Sequence, residues 1–268
     1  MKVLVLSFYF QPDLCAGSFR NTAFVKSLKK IKKVKHIDVV STMPNRYNAY
    51  IRTAPKIEID NKVTINRYNI GVHDSGMLDQ SVSFIKFAYA VLKYTNGKKY
   101  DLIYASSSRL MTGFLGALIS KKMRSPLYID IRDIFTDIIK ELLPKPICLL
   151  IYPPLKMAEK FTINQSNKIN IVSGGFKNYF EKNFKQKNLS IFPNGIDDEF
   201  IKETKVKTTK SLKRVILYAG NIGEGQGLEK ILPDLSLYLK EWNFKVIGAG
   251  GALHKLSSEI IKKQIKNI

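Results

Sequence analysis

The sequence predicts an α/β protein built on doubly wound parallel sheet, and three observations carry that reading. Short, almost unbroken apolar runs alternate with stretches whose apolar residues recur every three or four positions. Strands covered on both faces read as continuous apolar runs, which is the signature of a parallel sheet. Small-residue or glycine-rich turns stand where strand passes to helix, at Gly17-Ser18, Gly220–Gly227 and Gly248–Gly251. Such sheets place their ligands at the carboxyl ends of the strands.

Each element follows from its own pattern. Val3–Phe8, apolar at five of six positions, is the first strand. Phe19–Val34 is a helix, with Phe24, Leu28, Ile31 and Val34 at spacings of three and four. Ile37–Ser41 is a strand, and Val63–Tyr68 another after the turn Asp60-Asn61. Ser81–Tyr94 is an aromatic-rich helix. Asp101–Ala105 (strand), Leu110–Ser120 (a helix of small residues) and Leu127–Ile131 (strand) follow. Leu149–Gln165 reads as a helix entered through prolines, then come strand Lys168–Val172, helix Lys177–Phe184 and strand Leu189–Phe192. Glu203–Lys213 is polar, rich in Lys and Thr, and reads as a linker. A second series begins after it: strand Val215–Ala219, a Gly-rich loop, helix Leu228–Leu239, strand Phe244–Ile247, a Gly-rich turn and helix Ala252–Ile265. The domains expected are therefore 1–202, a linker at 203–213, and a partial second domain at 214–268. Two strands and two helices leave one sheet face and one edge open, so the second domain looks cut off.

Composition narrows the function. The 268 residues are 45% hydrophobic, enough for a core and against disorder. Two cysteines, Cys15 and Cys148, exclude a disulfide framework and point to a reducing compartment. His36, His73 and His254 are scattered, so no zinc cluster is read. Met1-Lys2 runs straight into a strand, without a signal-peptide pattern. The longest apolar stretches, Leu110–Ile119 and Ile147–Tyr152, fall far short of the roughly 20 residues that span a bilayer. A soluble, intracellular protein is expected. Its net charge of +22 needs an acidic neighbour: nucleic acid, an anionic bilayer or a phosphorylated substrate. The helix carrying Lys26, Lys29, Lys30, Lys32, Lys33 and Lys35 suits an anionic membrane, or is simply a solvated face. Nucleic-acid modules are missing.

Candidate chemistry sits at the turns. Gly17 and Ser18 open a helix whose N–H groups can meet an anion, although Ser18 can equally cap that helix. Arg132 and Asp133 stand just past strand Leu127–Ile131, as phosphate ligand and proton acceptor or as a structural pair. Ser173 either meets a ligand or caps the helix after it. Asn194 and Gly195 lie in Pro193-Asn194-Gly195-Ile196-Asp197, a turn or the wall of an interdomain cleft. Gly220, Asn221, Gly223, Gln226 and Gly227 form a loop able to wrap a phosphate, or a flexible turn. Gly248 and Gly250 repeat the pattern.

The order of motifs resembles family 4 of the GT-B glycosyltransferases, most nearly the WbuB-like branch of O-antigen or capsule biosynthesis. It runs from Met-Lys-Val-Leu-Val-Leu-Ser-Phe-Tyr-Phe-Gln-Pro and Ala16-Gly17-Ser18-x-Arg20 through Val40-Ser41-Thr42-Met43-Pro44-Asn45 to Ile131-Arg132-Asp133-Ile134-Phe135. Val172-Ser173-x-Gly175-Phe176, Phe192–Asp197 and Tyr218-Ala219-Gly220-Asn221-Ile222-Gly223-x-x-Gln226-Gly227-Leu228-Glu229 complete it.

The resemblance implies two Rossmann-like domains across a cleft, the first for the acceptor and the second for a nucleotide-sugar donor. It implies retention of configuration and neither metal nor other cofactor. Arg132 stands where many relatives have a histidine near the reacting sugar. Asn221 and Gln226 replace an arginine and a lysine on the diphosphate, and Arg132 or Arg20 is expected to supply the missing cation. The implied acceptor is a lipid-diphosphate-linked sugar at the cytoplasmic face of the inner membrane, and no nucleic acid is expected. The family's Glu-x₇-Glu element lies beyond Ile268, so the chain alone is expected to transfer poorly. A nucleotide-sugar 2-epimerase, or a donor-blind chain that binds membrane or a partner, are the alternatives.

Overall fold

A computed structural model describes residues 1–45, 53–71, 77–107, 110–142, 144–184, 188–196, 201 and 214–268, with only the backbone at 77–80, 138, 141 and 142. The chain divides into two compact units, Met1–Asp197 and Asp198–Ile268. The expected linker, His73 and Asp197 lie outside the described residues.

The first unit is an eight-stranded sheet. Its elements in chain order are β1 (Lys2–Leu6), α1 (Ala16–Lys30), β2 (His36–Thr42), β3 (Ile57–Asp60), β4 (Val63–Tyr68), α2 (Met77–Thr95), β5 (Leu102–Ser106), α3 (Leu110–Met123), β6 (Leu127–Ile131), α4 (Phe135–Leu142), α5 (Lys145–Gln165), β7 (Lys168–Ile171), α6 (Lys177–Asn183) and β8 (Leu189–Ile191). The strand order is β3-β4-β2-β1-β5-β6-β7-β8, and every pairing is parallel except the hairpin β3–β4. That hairpin turns at Asn61, whose φ of 54° suits asparagine.

Strand alternation sorts the core. Leu4, Leu6, Ile103, Ala105 and Leu127 pack under α2 and α3 on one face, while Val3, Val5, Ile37, Val39 and Tyr104 pack under α1 on the other. Each fully buried Leu or Ile contributes about 2 kcal/mol. Helix α3 rides close to the sheet because Gly116 carries no Cβ; one there would stand 2.6 Å from Ala105 Cβ. Ile129, Ile131, Ile169 and Ile171 meet Phe180 and Phe184 on the α2–α3 face. The opposite face of β6–β8 departs from the expected two-sided apolar cover. It carries Tyr128, Asp130, Lys168, Asn170 and Ser190, with Tyr128, Lys168 and Ser190 half-buried or exposed.

Three elements differ from the sequence reading. Helix α1 starts at Ala16 and stops at Lys30, so Lys32, Lys33 and Lys35 belong to the loop after it. Helix α4 fills a stretch to which the sequence reading gave no element. Helix α5 begins at Lys145, with Pro146 in its first turn, and runs through Pro153 and Pro154. These two prolines cannot donate to the carbonyls of Leu149 and Leu150. Both leucines are 79% exposed, so the helix loses these two bonds on its solvent side.

The second unit pairs β9 (Arg214–Ala219) with β10 (Trp242–Ile247) in parallel, with α7 (Leu228–Tyr238) and α8 (Leu253–Lys262). Ile222, Leu228, Leu232, Phe244 and Leu256 form its core on one face. Val215, Leu217 and Ile247 are exposed on the other. Asn267 clamps the end of the chain, its Nδ2 donating to the carbonyls of Ser236, Leu239 and Trp242.

Candidate functional site

In the first unit the carboxyl edge of β1, β5 and β6 gathers buried polar atoms that lack partners. Alternation points Tyr104 and Ser106 of β5, and Tyr128, Asp130 and Arg132 on β6 and just past it, toward the α1 face. Among the described residues, Ser18 Oγ, Ser106 Oγ and Arg132 Nη1 are buried without a hydrogen-bond partner. Ser106 lies on β5 and Arg132 just past β6, neighbouring strands about 5 Å apart, and Ser18 lies in the helix that follows β1. Buried donors are nearly always paired in folded proteins, and an orphaned row at a strand edge marks a place for a ligand. Arg132 is fixed from behind: its backbone N–H donates to Ser107 Oγ at 3.3 Å.

Helix α1 adds its N-terminus. Gly17 and Ser18 lie buried in its first turn, which holds no acidic residue, and Cys15 occupies the cap position without a side-chain cap. Ser18 is thus inside the helix, and the capping role open to it in the sequence falls away. The uncapped turn carries the positive end of the helix dipole.

Arg20 has a different part from the one expected. Its Nε and Nη2 bind both oxygens of Asp130 at 2.9 Å, while Nη1 reaches the carbonyl of Pro193 and Nη2 that of Phe192, each at 2.8 Å. Asn170 completes the clasp by donating to Asp130 at 2.6 Å and accepting from Phe192 N–H at 2.9 Å. Arg20 therefore holds the root of the Asn194-Gly195 segment, its charge matched by Asp130, whereas Arg132 has no ion pair among the described residues. Asp133 is exposed. Ser173 accepts from Gly175 N–H at 3.2 Å and caps the short helical turn Gly174–Phe176.

A buried carboxylate under this loop escaped the sequence reading. Glu159 of α5 accepts from Thr136 of α4 and Tyr179 of α6 at 2.9 Å, and from Lys156 at 2.6 Å. Burial and the carboxylate push the Tyr179 phenol up to about 12. Ser107, Asp133 and Glu159 line a cavity of about 10 Å³ beside it, room for one water.

In the second unit the two Gly-rich turns lie back to back. Gly220 N–H donates to Ile247 and Ile222 N–H to Ala249, both at 2.9 Å. Gly248 is required by that approach, since a Cβ there would fall 1.8 Å from the Gly220 carbonyl oxygen; at Gly250 one would fall 2.3 Å from that of Ile222. Gln226 Oε1 accepts from Asn221 Nδ2 and Gly223 N–H, both at 3.1 Å, so these amides shape the loop. Gly227, at φ 62°, joins the turn Glu224–Gln226 to α7. Glu224 is exposed in the loop and pairs with Lys255 of α8 at 2.5 Å. Lys255, with His254 and Lys230 nearby, holds its carboxyl below the usual range. Lys255 was not foreseen, because it reaches the loop from α8, the helix beyond the following Gly-rich turn. Among the described residues no group of three His, Cys, Asp or Glu could hold a metal ion.

Neither a family model nor a curated protein sequence matches the chain. Solved structures do. Anabaena HepE in complex with UDP-glucose superposes with a TM-score of 0.63 at 15% identity, over all of this chain and 67% of HepE. The catalytic domain of Arabidopsis thaliana starch synthase IV, bound to ADP and acarbose, gives 0.60 at 13%, over 99% of this chain and 72% of that one. A UDP-N-acetylglucosamine 2-epimerase gives 0.52 at 10%, over all of this chain and 67% of the epimerase. At such identities the likeness is one of fold, and the fold of this chain is GT-B.

Proposed function

We propose that the chain is a glycosyltransferase of the family 4, WbuB-like kind. It moves a sugar from a nucleoside-diphosphate donor, with retention, to a lipid-diphosphate-linked or saccharide acceptor in bacterial surface-polysaccharide assembly. It works as a peripheral protein at the cytoplasmic membrane face. The observation that carries this reading is the orphaned Arg132 at the carboxyl edge of the first unit, in a fold shared with UDP-glucose-bound HepE.

The acceptor hydroxyl bonds to the anomeric carbon on the face that the diphosphate leaves, and its proton passes to the departing phosphate oxygen. Arg132 and the uncapped first turn of α1 stabilise charge that grows on the leaving oxygen. In the second unit the Gly220–Gly227 backbone is itself a loop able to wrap a phosphate, and Lys255 beside it is held by Glu224.

The test is donor turnover with purified chain, nucleotide-sugars and lipid-diphosphate acceptors, reading nucleoside diphosphate release and sugar transfer. Arg132→Ala is expected to lower kcat by about 10²–10³-fold with the melting curve unchanged. An unchanged kcat refutes the role of Arg132. The epimerase among the structural matches favours a second reading: an epimerised donor sugar without transfer would establish it. Absence of donor binding would leave a non-catalytic GT-B chain.

A further inference from the structure

Helix α2 is apolar on two faces, and the core uses only one. Phe87 and Val91 are buried, with Phe84 and Ala88 packed partly against the same cluster. On the outside Val82, Ile85, Tyr89 and Leu92 are 52%, 66%, 70% and 43% exposed. Their spacing of three, four and three makes one stripe about 15 Å long. Lys86 and Lys93 flank it, both exposed.

The stripe runs into a basic hollow. Leu92 also lines a cavity of about 620 Å³ with Lys98, Lys99, Lys122 and Arg124 and one carboxylate, Asp101, on its walls, and Ile119, Met123 and Pro126 among its apolar lining; Lys98 Nζ sits over the Tyr94 ring. Among the described residues none of these four cations is ion-paired. Arg124 keeps a left-handed φ of 53°, a strained conformation that a glycine there would relieve. The hollow lies in the loops leading into β5 and β6, the end of the sheet opposite Arg132.

We propose that the α2 stripe and this hollow are the surface by which the chain docks on an anionic bilayer, the stripe entering the headgroup–acyl boundary and the hollow receiving lipid phosphate. One occupant accounts for both features, since a bilayer surface offers apolar depth beside negative charge. Nucleic acid explains the cations but leaves the Ile85–Tyr89 ridge in water. The inference rests on the membrane part of the proposed function and names its surface. It replaces α1, where Lys29 is engaged by Asp60.

The experiment is sedimentation of the full chain with vesicles of phosphatidylglycerol in phosphatidylcholine, against phosphatidylcholine alone. Ile85→Glu with Tyr89→Glu, and separately Lys98→Glu with Lys122→Glu, are expected to weaken binding to the anionic vesicles by about tenfold or more. Lys26→Glu with Lys30→Glu, the same charge change on α1, is expected to leave it within about threefold, each variant keeping the parent's melting curve. Equal loss from the α1 pair overturns the surface while sparing the membrane reading; no binding of the parent to anionic vesicles overturns both. Binding that ignores the Ile85–Tyr89 pair, or that duplex DNA abolishes at matched ionic strength, also overturns it. Transfer to a soluble acceptor, assayed on the same variants, reports separately on the chemistry.

Discussion

Asp38 ties three elements together through one carboxylate. It is buried on β2, accepting from Tyr100 of the β5 approach at 2.7 Å, from Tyr94 of α2 at 2.8 Å and facing His36 at 3.1 Å, with Lys2 at 3.5 Å. Burial alone would raise its pKa, but the hydrogen bonds from Tyr100, Tyr94 and His36 outweigh it, and the net shift is downward. A carboxylate depressed on folding adds stability that is complete above its unfolded value of about 3.9 and disappears as pH falls through the folded one. The urea midpoint is therefore expected to decline below about pH 4, and Asp38→Asn to lose about 2 kcal/mol at neutral pH with a shallower acid decline. Parallel pH profiles for variant and parent would refute this.

Among elements, the clasp of Arg20, Asp130 and Asn170 couples α1, β6, β7 and the segment after β8. Arg20→Lys keeps the charge but cannot make the two-pronged contact with Asp130 while also holding the carbonyls of Phe192 and Pro193. It is expected to cost about 2 kcal/mol and to speed hydrogen exchange at 192–196; unchanged exchange there would show that the segment does not need the clasp. The sequence could not reveal this, because the partners are 110 and more positions apart. Glu159 and Lys255 stayed hidden because groups on other elements engage them: Thr136 and Tyr179 for the first, Glu224 for the second. Arg132, Gly17 and the Gly-rich loops were legible because their place after a strand is a local property. The inner strands were legible as unbroken apolar runs, whereas β3 was not: it is an edge strand whose Ile57 and Ile59 are 61% and 73% exposed, so no burial pattern marks it. The short α4, eight residues between two longer elements, was given no element in the sequence reading.

For the whole molecule, a net charge of +22 is a standing self-repulsion. Salt screens it over about 8 Å at physiological strength. Added salt is expected to raise Tm by a few degrees, phosphate more than chloride at equal ionic strength, since a polyvalent anion can also occupy basic sites. A Tm that falls with salt would mean that attractive pairs outweigh the repulsion. The strand order has a consequence for how the protein is made. β1 leaves the ribosome first, yet it lies between β2 and β5 in the interior of the sheet, and its pairing with β5 reaches from Val3 to Leu102. At roughly 5–20 residues per second, the first strand waits about 5–20 seconds with one flank bare. This apolar segment is thus a natural client for a chaperone until its second neighbour arrives.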